Sequence, residues 1–163
     1  TLLAAFASAR VRCPRLRLVL AGAGTHELLA RTPPELRNAV LALGPCDDVE
    51  RVLWSIDLAV SSSSYGESFP NAVAEALAAG VPVVASTVGG IPDYISHEKN
   101  GMLFPSGDLE AFIRAWRAAC RHPLFGKGLV DEETLKRQRE YLSPELMAKK
   151  FFAAYESALA IGR

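Results

Sequence analysis

Apolar positions along the chain switch between two periods, and the switching points predict the elements. Leu2, Leu3, Phe6 and Ala9 fall on one face of a helix over residues 1–12. Residues 16–24, LRLVLAGAG, form an apolar run ending in glycines, which reads as a buried parallel strand entering a tight turn. A short helix over 26–38 is broken by Pro33 and Pro34, and AVLALG at 39–44 is the next strand. Residues 47–56 are amphipathic, with Cys46 or Asp47 near the cap, Val49, Leu53 and Ile56 facing inward, and Trp54 expected to pack in the core. Further strands are expected in 57–64, 81–86 and 100–105. Beyond Asp108, a capping residue, Leu109, Phe112, Ile113 and Trp116 recur at helical spacing. A charged helix over 131–142 follows. In the last helix, 143–160, Ser143 caps, Pro144 opens, and Leu146, Phe151, Phe152 and Tyr155 are expected to be buried. Strands alternating with helices predict an α/β fold, a Rossmann-like parallel sheet flanked by helices.

The stretch YGESFPNAVAEALAAG, residues 65–80, carries the candidate chemistry. Its helix starts near Phe69 or Pro70 and stops at Gly80. Only Asn71 and Glu75 are polar within it, four apart on one face, so the helix is expected to be buried on nearly every side. A carboxylate there is costly unless something binds it, and a hydroxyl-rich ligand answers that need. A vicinal diol offers a carboxylate two hydrogen bonds side by side. Strands on both sides make the helix a right-handed crossover, whose ligand crevice lies beyond the carboxyl ends of the strands. Its first N–H groups favour an anion such as phosphate. Glu67, in the preceding loop, reaches the same crevice.

Other motifs are weaker. Gly22 and Gly24 sit in GAGTHE, which lacks the third glycine of the dinucleotide fingerprint. Adjacent Gly89 and Gly90 permit close backbone approach to a ligand, or serve only a turn. His26, His97 and His122 share no ligand spacing, so no metal is expected. The serines at 61–64 lack the GxSxG elbow of a hydrolase and more simply offer hydroxyls to the crevice.

Composition narrows the partners. The 163 residues make one domain, half of them hydrophobic, with 18 basic against 18 acidic side chains. That balance gives no support for nucleic-acid binding through bulk charge. Cys13, Cys46 and Cys120 are scattered and odd in number, which reads as free thiols in a reducing compartment, the cytoplasm.

GESFPNAVAEALAAGVPVVAS resembles the E-x7-E region of the family 4 glycosyltransferases, which have the GT-B fold. TVGGIPDYI, NGMLFPSGDLEAF and LVLAGAG fall in the order that family uses. The resemblance covers essentially the whole chain as the donor-binding half of a retaining enzyme. It implies that Glu75 holds the ribose hydroxyls of a nucleoside diphosphate sugar, with UDP or GDP the expected nucleotide. Glu67 would stand beside the donor sugar near its reacting carbon as the catalytic acid residue. The backbone of Ser68, Phe69, Pro70 and Asn71 would meet sugar and diphosphate. Gly22, Gly24, Gly89 and Gly90 would border the cleft, and Leu43 and Gly44 would lie against the base. Asp93 stands where the family more often has Glu. By the same resemblance a central strand, and the Arg and Lys that clamp the diphosphate, precede Thr1. The acceptor would be held by an N-terminal domain outside these residues. No metal is implied; the setting would be polysaccharide or glycoconjugate synthesis, with the parent in the cytoplasm or at the inner face of a membrane. Three rivals stand beside this reading: a non-catalytic nucleotide-sugar module, a GT-B UDP-sugar epimerase and a nicotinamide oxidoreductase.

Overall fold

Helices and strands alternate as the apolar pattern predicts, in a computed structural model that describes residues 1–64, 70–123 and 125–161. In order they are α1 (Leu2–Arg12), β1 (Leu18–Ala21), α2 (Thr25–Ala30), α3 (Pro34–Arg37), β2 (Val40–Gly44), α4 (Val49–Leu53) and β3 (Ala59–Ser61). There follow α5 (Asn71–Ala78), β4 (Val83–Ser86), α6 (Ile91–Tyr94), β5 (Gly101–Phe104), α7 (Leu109–Ala119), a 3₁₀ turn (Phe125–Lys127), α8 (Glu132–Tyr141) and α9 (Pro144–Ile161). All strand pairs described are parallel, β1 with β2 and β3–β4–β5 in that order.

The core follows from the alternation of side chains along β4. Val84 joins Phe6, Met102, Phe104, Phe112 and Trp116 on the face covered by α1 and α7. Val83 and Ala85 point the other way, among Val73, Leu77, Ile91 and Ile95. The first face is aromatic: Phe112 stacks on Phe104 at 4.4 Å and on Trp116 at 5.4 Å. Burying each such ring contributes about 1.5–3 kcal/mol. Strand β5 runs so close to β4 that a Cβ on Gly101 would lie 2.2 Å from the Val83 carbonyl oxygen. On the second face α8 completes α5: Gln138 Nε2 donates to Leu77 O at 3.2 Å and Arg139 Nε to Ala78 O at 2.9 Å. Leu77 O already accepts from Gly80 N at 2.9 Å, so Gln138 adds a second bond there, while Arg139 brings positive charge to the carboxyl end of α5.

Several expectations need correction. Asp48, rather than Cys46 or Asp47, caps α4, accepting from Arg51 N at 3.1 Å. Trp54 is 68% exposed, as the C-cap residue just past a helix only five residues long. Phe151, Phe152 and Tyr155 are also exposed: among the described residues, the element α9 packs against most is α8. The stripe exists, but no described element covers it.

The strands form two sheets rather than one continuous one. β1 pairs only with β2, and β3 only with β4, among the described residues. Between them lies a cavity of about 590 Å³, walled by Leu18 and Leu20 of β1, Ala59 and Ser61 of β3, and Leu53 and Trp116 on either side.

Candidate functional site

The carboxyl ends of the strands gather the small and hydroxyl-bearing residues. After β1 the chain turns back at Gly22 (φ 118°) and Gly24 (φ 77°), backbone angles that an L side chain rarely adopts. A Cβ on either would meet nothing within 4 Å, so the turn opens onto free space. Gly22 N donates to Gly44 O at 2.7 Å, joining the ends of β1 and β2. Thr25 locks the joint: its hydroxyl donates to Gly22 O at 2.9 Å and accepts from Gly44 N at 3.0 Å. Thr25 is buried and was not a candidate; the only trace in the sequence is a hydroxyl next to the second glycine.

On the other side of the cavity, Ser86 at the end of β4 is buried and donates from Oγ to Ser63 O at 2.7 Å. This bond fastens the serine-rich loop after β3, which shares the crevice.

Helix α5 starts there. Pro70 sits just ahead of it as N-cap (φ −76°) rather than at its first turn, and no side chain caps the end. By helix geometry its first N–H groups lack intrahelical acceptors. Val73, Ala76 and Leu77 are buried, but Asn71, Ala72 and Glu75 are exposed, so the expected near-complete burial is wrong. One side of α5 faces the cavity, and no described residue covers it there. Glu75 lines that cavity together with Gly22, Cys46, Ser61 and Ala72. It is neither turned into the interior nor, among the described residues, held by an arginine or an amide.

The structure thus brings Gly22 and Glu75 to one opening and ties Gly22 to Gly44, with Gly24 in the same turn. Leu43 is exposed beside them. Asn71 stands at the head of α5. Gly89 (φ 52°) and Gly90, the N-cap of α6, follow β4 and do not line this cavity. Glu67, Ser68 and Phe69 lie outside the described residues. A second cavity, of about 250 Å³, lies by Tyr94, Asn100 and Gln138, at the opposite, amino end of β5. Ligands of parallel α/β sheets bind beyond the carboxyl ends, which favours the opening at Glu75. Among the described residues no three His, Cys, Asp or Glu side chains group as metal ligands, and no helix is long and apolar enough to cross a membrane.

Parallel strands with helices on both faces, and a glycine turn opposite an acid-bearing helix, define a Rossmann-like α/β domain. Solved structures share this fold. Anabaena HepE in complex with UDP and glucose matches with a TM-score of 0.73 at 21% identity, over 94% of this chain and 44% of that one. Sucrose-phosphate synthase from Thermosynechococcus elongatus matches with a TM-score of 0.75 at 23% identity, over 98% and 42%. The chain belongs to the glycosyl transferases group 1 family, whose model matches residues 1–122. Among curated relatives, a D-inositol 3-phosphate glycosyltransferase of Saccharomonospora viridis is 35% identical over 136 residues, 75% of this chain and 31% of that protein. A phosphatidyl-myo-inositol mannosyltransferase of Mycobacterium leprae is 32% identical over 117 residues, 71% and 31%. The chain therefore spans about a third of the length of these two relatives.

Proposed function

We propose that this chain is the donor-binding half of a retaining glycosyltransferase, of family 4, that moves a sugar from a nucleoside diphosphate to an acceptor. The observation that carries the reading is Glu75, an exposed carboxylate with no protein partner among the described residues, on an opening bordered by the Gly22 turn and the head of α5. A free carboxylate there accepts two hydrogen bonds from the ribose diol, while the first amides of α5 face the diphosphate. The HepE complex with UDP and glucose, in a protein of the same fold, supports UDP as the nucleotide, with GDP the other candidate.

For Glu67, which lies outside the described residues, the role that the resemblance gives is to bring negative charge to the sugar, favouring the oxocarbenium-like centre that forms as the diphosphate leaves. The acceptor is held by a separate N-terminal domain, and polysaccharide or glycoconjugate synthesis is the setting, in the cytoplasm or at the inner face of a membrane. No metal takes part. Alone, the chain binds nucleotide weakly and transfers no sugar. Calorimetric screening of UDP-, GDP- and ADP-sugars, repeated with Glu75→Ala on the best ligand, tests this. Equal binding by the variant refutes the assignment of Glu75, and sugar transfer by the isolated chain refutes its inactivity.

A further inference from the structure

The second cavity, of about 250 Å³ on the amino-end side of β5, gathers residues that the donor opening leaves unused. Helix α8 lines it with Thr134, Arg137, Gln138 and Tyr141, which fall at i, i+3, i+4 and i+7 on one face. Asp93 and Tyr94 of α6 line it too, with Lys99 from the turn before β5. Tyr94 and Tyr141 meet edge to face with ring centroids 5.6 Å apart, and Lys150 lies over the Tyr141 ring at 4.3 Å. The volume is that of roughly eight waters at about 30 Å³ each, or of one single-ring molecule.

Gln138 marks this cavity as more than a packing gap. Its side chain is 6% exposed, yet only half of its amide is used: Nε2 donates to Leu77 O at 3.2 Å, and the buried Oε1 receives no donor. The Leu77 carbonyl fixes which way the amide faces, because only the nitrogen can donate to it. Buried acceptors in folded proteins are nearly always paired, so this oxygen calls for a donor from outside the chain. The rest of the lining carries both signs. Asp93 is acidic, while Lys99 and Arg137 are exposed cations. Arg137 pairs with Glu133, and its guanidinium has further N–H groups to give. An anion alone would meet Asp93 and an unpaired oxygen, and a cation alone would meet two cations. A ligand that carries both charges satisfies all of them.

We propose that this cavity is a binding site for a free α-amino acid with a single-ring apolar side chain. The ammonium donates to Gln138 Oε1 and faces Asp93, the carboxylate takes Lys99 and Arg137, and the ring lies against Tyr94 and Tyr141. The site is separate from the opening at Glu75, which shares none of these residues.

The test titrates the full, ¹⁵N-labelled chain with L-phenylalanine to about 10 mM, a range in which so small a ligand still registers by NMR. Shifts are expected at the Gln138 side-chain amide and at the backbone amides of Ser96 and Tyr141, unchanged by excess UDP. 3-Phenylpropionate, which lacks the ammonium, and phenethylamine, which lacks the carboxylate, should each bind at least about fivefold more weakly. Gln138→Leu should weaken L-phenylalanine about tenfold. Because that change also removes the bond to Leu77 O, a second variant joins Lys99→Gln to Arg137→Gln on the exposed rim. It should lose L-phenylalanine by about fivefold or more while binding phenethylamine no worse than the native chain. Absence of shifts at the highest concentration overturns the proposal. So do displacement by UDP, equal binding of the two truncated analogues and L-phenylalanine, or unchanged L-phenylalanine binding by the rim variant.

Discussion

Replacing Thr25 by valine tests whether a single hydroxyl holds the glycine turn at the cavity. The two side chains have nearly the same shape, so the perturbation is chemical. In the native fold Thr25 Oγ1 is held at 2.9 Å from Gly22 O and 3.0 Å from Gly44 N, in a side chain that is 8% exposed. Valine leaves the buried Gly44 N–H without its acceptor, which costs about 1–3 kcal/mol, and removes a second bond worth about 1 kcal/mol. The sum is roughly 2–4 kcal/mol. For a chain of this size, at about 2–4 °C per kcal/mol, the melting temperature should fall by roughly 4–16 °C. Thr25→Ser keeps the hydroxyl and loses one methyl, for about 1 kcal/mol. Thermal melts followed by circular dichroism, with hydrogen exchange of the Gly44 amide, give the answer. The reasoning is refuted if valine melts within 2 °C of the native protein, if serine and valine melt alike, or if Gly44 exchange stays unchanged.

Other expectations are narrower. Gly101→Ala sets a methyl 2.2 Å from the Val83 carbonyl oxygen, a backbone group that cannot swing aside, so β4 and β5 should separate and the soluble yield collapse; normal expression and melting would contradict the geometry. Phe152→Ser should leave the melting temperature within about 2 °C, since this ring is 70% exposed; a larger drop would mean that α9 packs. Hydrogen bonds from the Thr134 hydroxyl and then its amide hold the Asp131 carboxyl below its ordinary 3.8. The support Asp131 gives α8 is therefore complete above that value and lost as pH falls through the lower folded one. An NMR titration of the Thr134 amide should have its midpoint under 3.8, and a midpoint at or above it would contradict the cap.

Period and punctuation carried the order of elements. Asp108 and Ser143 cap the helices they were expected to cap, accepting from Ala111 N at 2.8 Å and Leu146 N at 3.1 Å. Periodicity reports which face of a helix is apolar, but not whether anything lies opposite it. That is why Phe151, Phe152 and Tyr155 were expected in a core, and why α5 was expected to be covered all round. Glu75 stands out in the sequence by its isolation in an alanine-rich helix, and Gly22 by the need for a turn; the structure sets both on one cavity. The role of Thr25 is not legible, because it depends on a pairing between distant segments that only the folded chain brings together.

The central claim is that Glu75 holds the two ribose hydroxyls of the donor. Equilibrium binding of UDP and of its 2′-deoxy analogue to the native chain and to Glu75→Gln examines that contact directly. The native protein should lose roughly tenfold or more in affinity when the 2′-hydroxyl is removed, a charge-assisted hydrogen bond being worth about 1.5–3 kcal/mol. Glu75→Gln should bind UDP more weakly and discriminate far less between the two nucleotides. Equal discrimination by both proteins would contradict the account.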